Sequence, residues 1–169
     1  MAIRPILIYP DPRLHTVANK VSGVNDEIRQ LIEDMAETMY AAPGIGLAAI
    51  QVNEPLQIIV IDVTPEKTHL QVFINPQILE AEGEEECEEG CLSVPGIYDW
   101  VKRAKKIRVT ALNKEGETFE ILAEGMMAVC IQHEMDHLLG RVFVEKLSRL
   151  KHQRILTKLK KRQREKQGS

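Results

Sequence analysis

The stretch CIQHEMDHLLG, residues 130–140, places the tightest constraint on how this chain folds. Met126, Met127, Val129, Cys130, Ile131, Met135, Leu138 and Leu139 make a helix that is apolar nearly all round, and Gly140 stops it. A helix of that kind is central and buried. His133, Glu134 and His137 are then polar groups in an apolar setting, and they need partners. Histidines four apart share a helical face and can reach one ion. Two hydrogen-bonded core histidines would satisfy that spacing equally well. Glu134 tips the balance towards a metal site, because an unpaired carboxylate is costly to bury unless a charge or a task holds it there.

The remaining segments supply strands and helices in an irregular order, which points to an α+β fold rather than a βαβ repeat. Asn25 or Asp26 can cap a helix whose apolar positions Ile28, Leu31, Ile32, Met35 and Met39 share one face, with Pro43 and Gly44 ending it. QIIVID (57–62) and LQVFIN (70–75) read as strands, the second closed by Pro76. KIRVTAL (106–112) and ETFEIL (117–122) flank the turn-rich NKEG as a hairpin. The expected architecture is small mixed or antiparallel sheets around a central metal-binding helix, with a C-terminal helix over about 147–166. No internal repeat or linker divides residues 1–169, so a single catalytic domain is expected.

Composition narrows the setting. The opening MAIRPILIYPDPRL breaks its apolar run with Pro5, Pro10 and Pro12, unlike a signal peptide, and no stretch has the length of a membrane span. Three cysteines are too few, and odd in number, for a disulfide framework, which suits a reducing cytoplasm. Residues 146–169 hold ten Lys/Arg and one Glu, a local net of +9, which leaves −12 on residues 1–145 out of the total of −3.

A catalytic metal usually needs a third protein ligand, and the two familiar downstream continuations fail. In H-E-x-x-H-x-x-G-x-x-H the glycine is present as Gly140, but the last position is Phe143. In the glutamate form the choices are Glu145, close to His137, and Glu165, in the basic tail. The ligand should therefore lie upstream, where thiolates are strong candidates. Cys130 is on the metal helix but would have to reach past a full turn, so it is read as pocket wall or a small buried hydrophobe. Cys91, in EEGCLSVPG (88–96) beside the permissive Gly90, is the better ligand. Cys87 raises a rival: C-x3-C with H-x3-H could close a structural zinc site. In an extended segment, however, residues four apart are separated by about 13 Å.

Three motifs now stand together: GIGLAAIQ (44–51), EGCLS (89–93) and HEMDH (133–137). In this order, with the YPDPRL opening and the FINP strand, the chain closely resembles the peptide deformylases of bacteria. The resemblance implies removal of the N-formyl group from the starting methionine of nascent polypeptides, releasing formate. It implies metal ligation by Cys91, His133 and His137 around one divalent ion, Fe2+ first, with Zn2+, Ni2+ or Co2+ able to substitute. Water activated by the ion would attack the formyl carbon, with Glu134 as general base and then acid. Gln51 and the Leu92 N–H would stabilise the oxyanion. Ile45, Met126, Val129 and Cys130 would line the methionine pocket, Glu89 would stand at the edge of the site, and Gly46 and Gly90 would leave room for an extended substrate backbone. Two positions depart from the family pattern: Ile50 stands where many relatives have proline or threonine, and Tyr98 where some carry arginine.

The glutamates of EAEGEEECEEGC (80–91), Glu89 apart, read as a solvated strand and loop. Asp136 reads as structural, with Arg103 a possible partner. The basic C-terminal helix carries a partial apolar stripe at Leu147, Leu150, Ile155 and Leu159. It is either a solubilising helix or a contact with ribosomal RNA, whose phosphates attract such charge. No membrane or DNA partner is expected.

Overall fold

Helix α1 (Asp26–Ala41) starts where Asn25 accepts a hydrogen bond from the Ile28 N–H at 3.0 Å. Its face of Leu31, Ile32, Met35 and Met39 is fully buried against one side of a sheet. The computed structural model describes residues 2–167, and the side chains of these apart from 163 and 165–167. The expected domain span of 1–169 thus includes Met1, Gly168 and Ser169, which lie outside the described residues.

The sheet contains β1 (Gly46–Ala48), β2 (Ile58–Ile61), β3 (Gln71–Glu82), β6 (Lys106–Leu112) and β7 (Thr118–Glu124), in the order β1-β2-β3-β6-β7. Strands β4 (Glu85–Cys91) and β5 (Val94–Arg103) form a separate two-stranded ribbon. Every strand pairing is antiparallel. Strand β2 shows why its sequence is apolar without alternation: Ile58 and Val60 pack towards α1, and Ile59 and Ile61 into the core on the opposite face. That second core surrounds helix α2 (Gly125–Leu138), whose Ala128, Cys130, Ile131 and Leu138 are buried in it. Gly140 ends α2 at φ 76°, and a side chain there would meet the His15 carbonyl oxygen at 2.6 Å. Helix α3 (Arg149–Gln167) packs through Ile155 and Leu159 onto the same core. Among the described residues no helix is long and apolar enough to cross a membrane.

The α+β arrangement and the central helix agree with the reading from sequence, and of the two sheet types expected, the antiparallel one is present. One boundary differs. Strand β3 does not close at Pro76 but runs through it to Glu82, with a register shift between Ile74 and Gln77. The irregularity makes this possible, since a proline at a bulge gives up no ladder hydrogen bond. Asn75 adopts φ 52° there, and its side chain accepts from the Val21 N–H at 2.8 Å and donates to the Val21 carbonyl at 2.9 Å.

Asp62, directly after β2, ties α1 to the following loop. It accepts from Tyr40 Oη at 2.6 Å, Thr64 Oγ1 at 2.6 Å, the Thr64 N–H at 3.0 Å and the His69 N–H at 3.2 Å. Burial alone would raise its carboxyl, but these donors outweigh it and bring the pKa down from 3.8 to about 2. A folded value below the unfolded one gives stability that is fully present above pH 3.8 and lost as the pH falls towards 2. The shift corresponds to about 2 kcal/mol. Asp62→Asn is therefore expected to be less stable than the parent in urea at pH 6, and the gap narrows by about 1 kcal/mol at pH 3.

Candidate metal centre and active site

Helix periodicity places His133 and His137 on one face of α2, one turn apart, with ring centroids 5.1 Å apart. The β4–β5 ribbon brings the third group. Its turn consists of Leu92 and Ser93, so Cys91 is the last residue of β4, paired with Val94, and its thiol points at α2. Cys91 Sγ lies 3.4 Å from His137 Nε2. The ligand atoms of Cys91, His133 and His137 all lie within 4.8 Å of one another.

These residues fit a bound ion. His133 donates Nδ1–H to Glu89 Oε1 at 2.8 Å, which fixes the tautomer and leaves Nε2 for a metal. His137 is fully buried, and burial, reinforced by His133, pushes its pKa well down, so it stays in the neutral form that ligates. One thiol with two imidazoles suits a borderline transition ion. A cavity of about 1080 Å³ between α1 and the outer sheet contains none of these ligands.

The alternatives weighed from sequence fall away on position. Cys87 lies opposite Val101 in the ribbon, and burial together with Glu85 and Glu89 raises its thiol pKa. Among the described residues it does not join the cluster. Cys130 is buried with its thiol 3.9 Å from the Ile45 carbonyl, and burial keeps it protonated. Phe143 is buried, 5.9 Å from the His133 ring. Glu145 accepts from the Val142 N–H and pairs with His15 instead. The side chain of Glu165 lies outside the described residues.

Glu134 is 2% exposed, with Oε2 unpartnered among the described residues and Oε1 3.5 Å from His133 Nε2. Burial lifts its pKa to about 7 against the opposing pull of His133. Gly46 on β1 explains how strand and helix come so close: a side chain there would stand 2.7 Å from Cys130 Sγ and 3.2 Å from Glu134 Cγ. Gln51 is buried. Its Oε1 accepts from the Ala48 N–H at 2.9 Å, which turns Nε2 towards Ser93 Oγ at 3.0 Å and Cys91 Sγ at 3.6 Å. Leu92, first in the ribbon turn, stands outside the β4–β5 ladder, and its side chain packs at Gly44. Met126, Val129, Cys130 and His133 follow one face of α2; Met126 is exposed, Val129 half-buried and Cys130 buried. Ile45 is exposed beside Cys130.

Two positions differ from expectation. Glu89, expected at the edge of the site, is buried, and Arg103 grips both its oxygens, Nε to Oε2 at 2.7 Å and Nη2 to Oε1 at 2.8 Å. With His133 as third partner, both its oxygens are engaged within the protein, and burial is outweighed by these donors so that its pKa falls to about 2. Gly90 makes room for the Tyr98 ring, which occupies the place a side chain would take. Arg103 Nη1 also donates to Asp136 Oδ2 at 2.6 Å, so the pairing suspected from sequence is present as part of a larger network. Ser93, fully buried beside the Gln51 amide, was not singled out from sequence, although it closes the EGCLS motif.

Comparison with known proteins agrees with this geometry over nearly the whole chain. The polypeptide deformylase family model matches residues 3–153. The chain belongs to the polypeptide deformylase family. It is 62% identical over 165 residues to peptide deformylase 1 of Burkholderia multivorans, covering 97% of this chain and 91% of the relative. To the peptide deformylase of Neisseria meningitidis serogroup B it is 58% identical over 163 residues, covering 96% and 98%. The crystal structure of a peptide deformylase from Legionella pneumophila superposes with a TM-score of 0.95 at 47% identity, covering 99% of both chains. The Cys/His/His cluster on α2 and the ribbon is thus the metal site of a deformylase.

Proposed function

We propose that Cys91, His133 and His137 hold one divalent ion, Fe2+ in the cell, at which an N-formyl group is hydrolysed. The chain is a peptide deformylase, a hydrolase that removes the N-formyl group from formylated nascent peptides. The observation that carries the mechanism is the convergence of three ligand atoms beside a buried carboxylate with an unpartnered oxygen. When bound, the ion supplies Lewis acidity, lowering the pKa of a water towards neutrality and polarising the carbonyl under attack.

Glu134 takes the proton of the attacking water and returns it to the nitrogen of the leaving amine. Burial favours its protonated form, which helps it hold the proton between the two transfers. Gln51 Nε2 and the Leu92 N–H donate to the oxyanion that develops on the formyl oxygen. The bond from the Ala48 N–H supports the Gln51 assignment, because it orients the amide before substrate arrives. Ile45, Met126, Val129 and Cys130 receive the methionine side chain. The substrate backbone runs along the outer edge of β1 at Gly46, an edge strand suited to strand addition, and past Gly90. Glu89 positions His133.

We assign residues 1–169 to one catalytic domain working in the cytoplasm, with α3 supporting ribosome contact through its cations. Truncation after Leu150 is expected to weaken cosedimentation with ribosomes at low salt, and unchanged binding would count against that contact. Iron predicts activity that decays in air and persists in protein loaded with nickel. The activity is tested by incubating metal-loaded protein with formyl-Met-Ala-Ala and with acetyl-Met-Ala-Ala-Ala. Formate from the first and no cleavage of the second are expected; cleavage of internal peptide bonds without formate would instead mark a general metallopeptidase.

A further inference from the structure

Ser93 closes the EGCLS motif, and its fully buried side chain is turned to Gln51. Gln51 Nε2 lies 3.0 Å from Ser93 Oγ, and among the described residues that is the hydroxyl's only hydrogen bond. The direction of this bond is fixed at the other end of the amide. The Ala48 N–H can only donate, so the atom that faces it at 2.9 Å is Oε1, and the atom that faces Ser93 is Nε2. Ser93 Oγ is therefore the acceptor. It takes one amide hydrogen and leaves the second on the side of the metal centre, where Cys91 Sγ lies 3.6 Å from Nε2.

The torsion that carries a glutamine amide has a broad profile, so a single hydrogen bond leaves the group free to swing about it. Two bonds, at opposite ends of the amide, define its plane. Ser93 is itself held in place. Its carbonyl accepts from the Tyr9 N–H at 2.8 Å, and two residues earlier the Leu7 N–H donates to the Gln51 carbonyl at 2.7 Å. Residues 7–9, with Leu7 and Tyr9 buried, thus span the ribbon turn and the 3-10 turn Ala49–Val52, and fix how far apart Ser93 and Gln51 sit. We propose that Ser93 is a positioning residue for deformylation: its hydroxyl holds the Gln51 amide in the plane that aims the second Nε2 hydrogen at the developing oxyanion. Because Ser93 directly follows Leu92, it ties the two oxyanion donors together, one through the chain and the other through space. The inference rests on the reading of Gln51 as an oxyanion donor.

The test is steady-state turnover of formyl-Met-Ala-Ala by the metal-loaded, full-length parent, Ser93→Ala, Gln51→Ala and the double variant, with metal content measured on each. Gln51→Ala is expected to lower kcat about 100-fold, the cost of one oxyanion donor. Ser93→Ala keeps that donor but frees its plane, and the bond from the Tyr9 N–H, which uses the Ser93 backbone, survives the substitution. Its kcat is expected to fall about tenfold, with KM and metal content close to the parent's. With no amide left to orient, removing the hydroxyl from Gln51→Ala is expected to cost at most about twofold further. A hydroxyl that served the fold alone would cost the same factor in both backgrounds. Parental kcat in Ser93→Ala alongside a slow Gln51→Ala overturns the proposal, and so does a loss that persists undiminished in the Gln51→Ala background. A fall in metal content in Ser93→Ala would make the residue a support for Cys91 and overturn it likewise. Parental kcat in Gln51→Ala would instead reject Gln51 as an oxyanion donor, and the Ser93 assignment with it.

Discussion

Glu134→Gln is expected to lower kcat for formyl-peptide hydrolysis by about 10³-fold while leaving KM and metal content close to the parent's. The amide keeps the shape of the carboxylate but cannot carry a proton from water to the leaving amine. Metal content holds because His133 Nε2, His137 and Cys91 are untouched, and Glu89 still orients the His133 ring. Stability gives an independent readout. Glu134 is 2% exposed with one oxygen unpartnered, so replacing its charge relieves a desolvation cost, and the variant should melt no lower than the parent. A loss of activity below tenfold would remove Glu134 from the proton path. A large loss accompanied by loss of metal would make it a structural support instead.

The second large effect is expected at Arg103. Its guanidinium, 5% exposed, bridges Glu89 on β4 and Asp136 on α2, and so clamps the ribbon to the metal helix. Arg103→Met leaves Glu89 buried without its main counter-charge. Breaking such a pair costs about 3–5 kcal/mol, which for a domain of this size lowers Tm by roughly 10 °C. Glu89 also holds Nδ1 of His133, so metal affinity should fall by about 10- to 100-fold. The double variant Arg103→Met/Glu89→Met separates the two effects. Without a buried lone charge it should regain much of the stability, yet it should not regain the affinity, because His133 has now lost Glu89, its Nδ1 partner. Recovery of both would reduce the network to a folding element. Arg103→Lys should rescue poorly, since one ammonium cannot make the paired bonds to Glu89 together with the bond to Asp136.

The sequence was most legible where burial acts on a whole element. The all-round apolar surface of α2 placed it at the centre, and the unbroken IIVI of β2 matched a strand covered on both faces. Elimination then reached Cys91, because a short thiol side chain limits which cysteine can meet His133 and His137. The remainder depended on long-range register. Arg103 meets Glu89 through the antiparallel pairing of β4 with β5, and Asp136 through the docking of that ribbon on α2. Nothing local in the sequence gives that register, so Glu89 read as an edge residue. The same limit applied to Gly46 and Gly90. Each read as bare backbone open to substrate, and each is bare at least in part because a neighbour, Cys130 or the Tyr98 ring, fills the space. Pro76 misled for another reason: a proline ends a regular ladder, but β3 is bulged there.

The central claim is that one thiolate, Cys91, completes an open site whose business is chemistry rather than a closed structural one. The most direct test compares bound metal and formate release in Cys87→Ser and Cys91→Ser, each purified and reconstituted alongside the parent. The account predicts that Cys87→Ser keeps its full metal complement and parental formate release, whereas Cys91→Ser loses both. Equal loss of metal from the two variants would show a closed two-cysteine, two-histidine site, and would contradict the account.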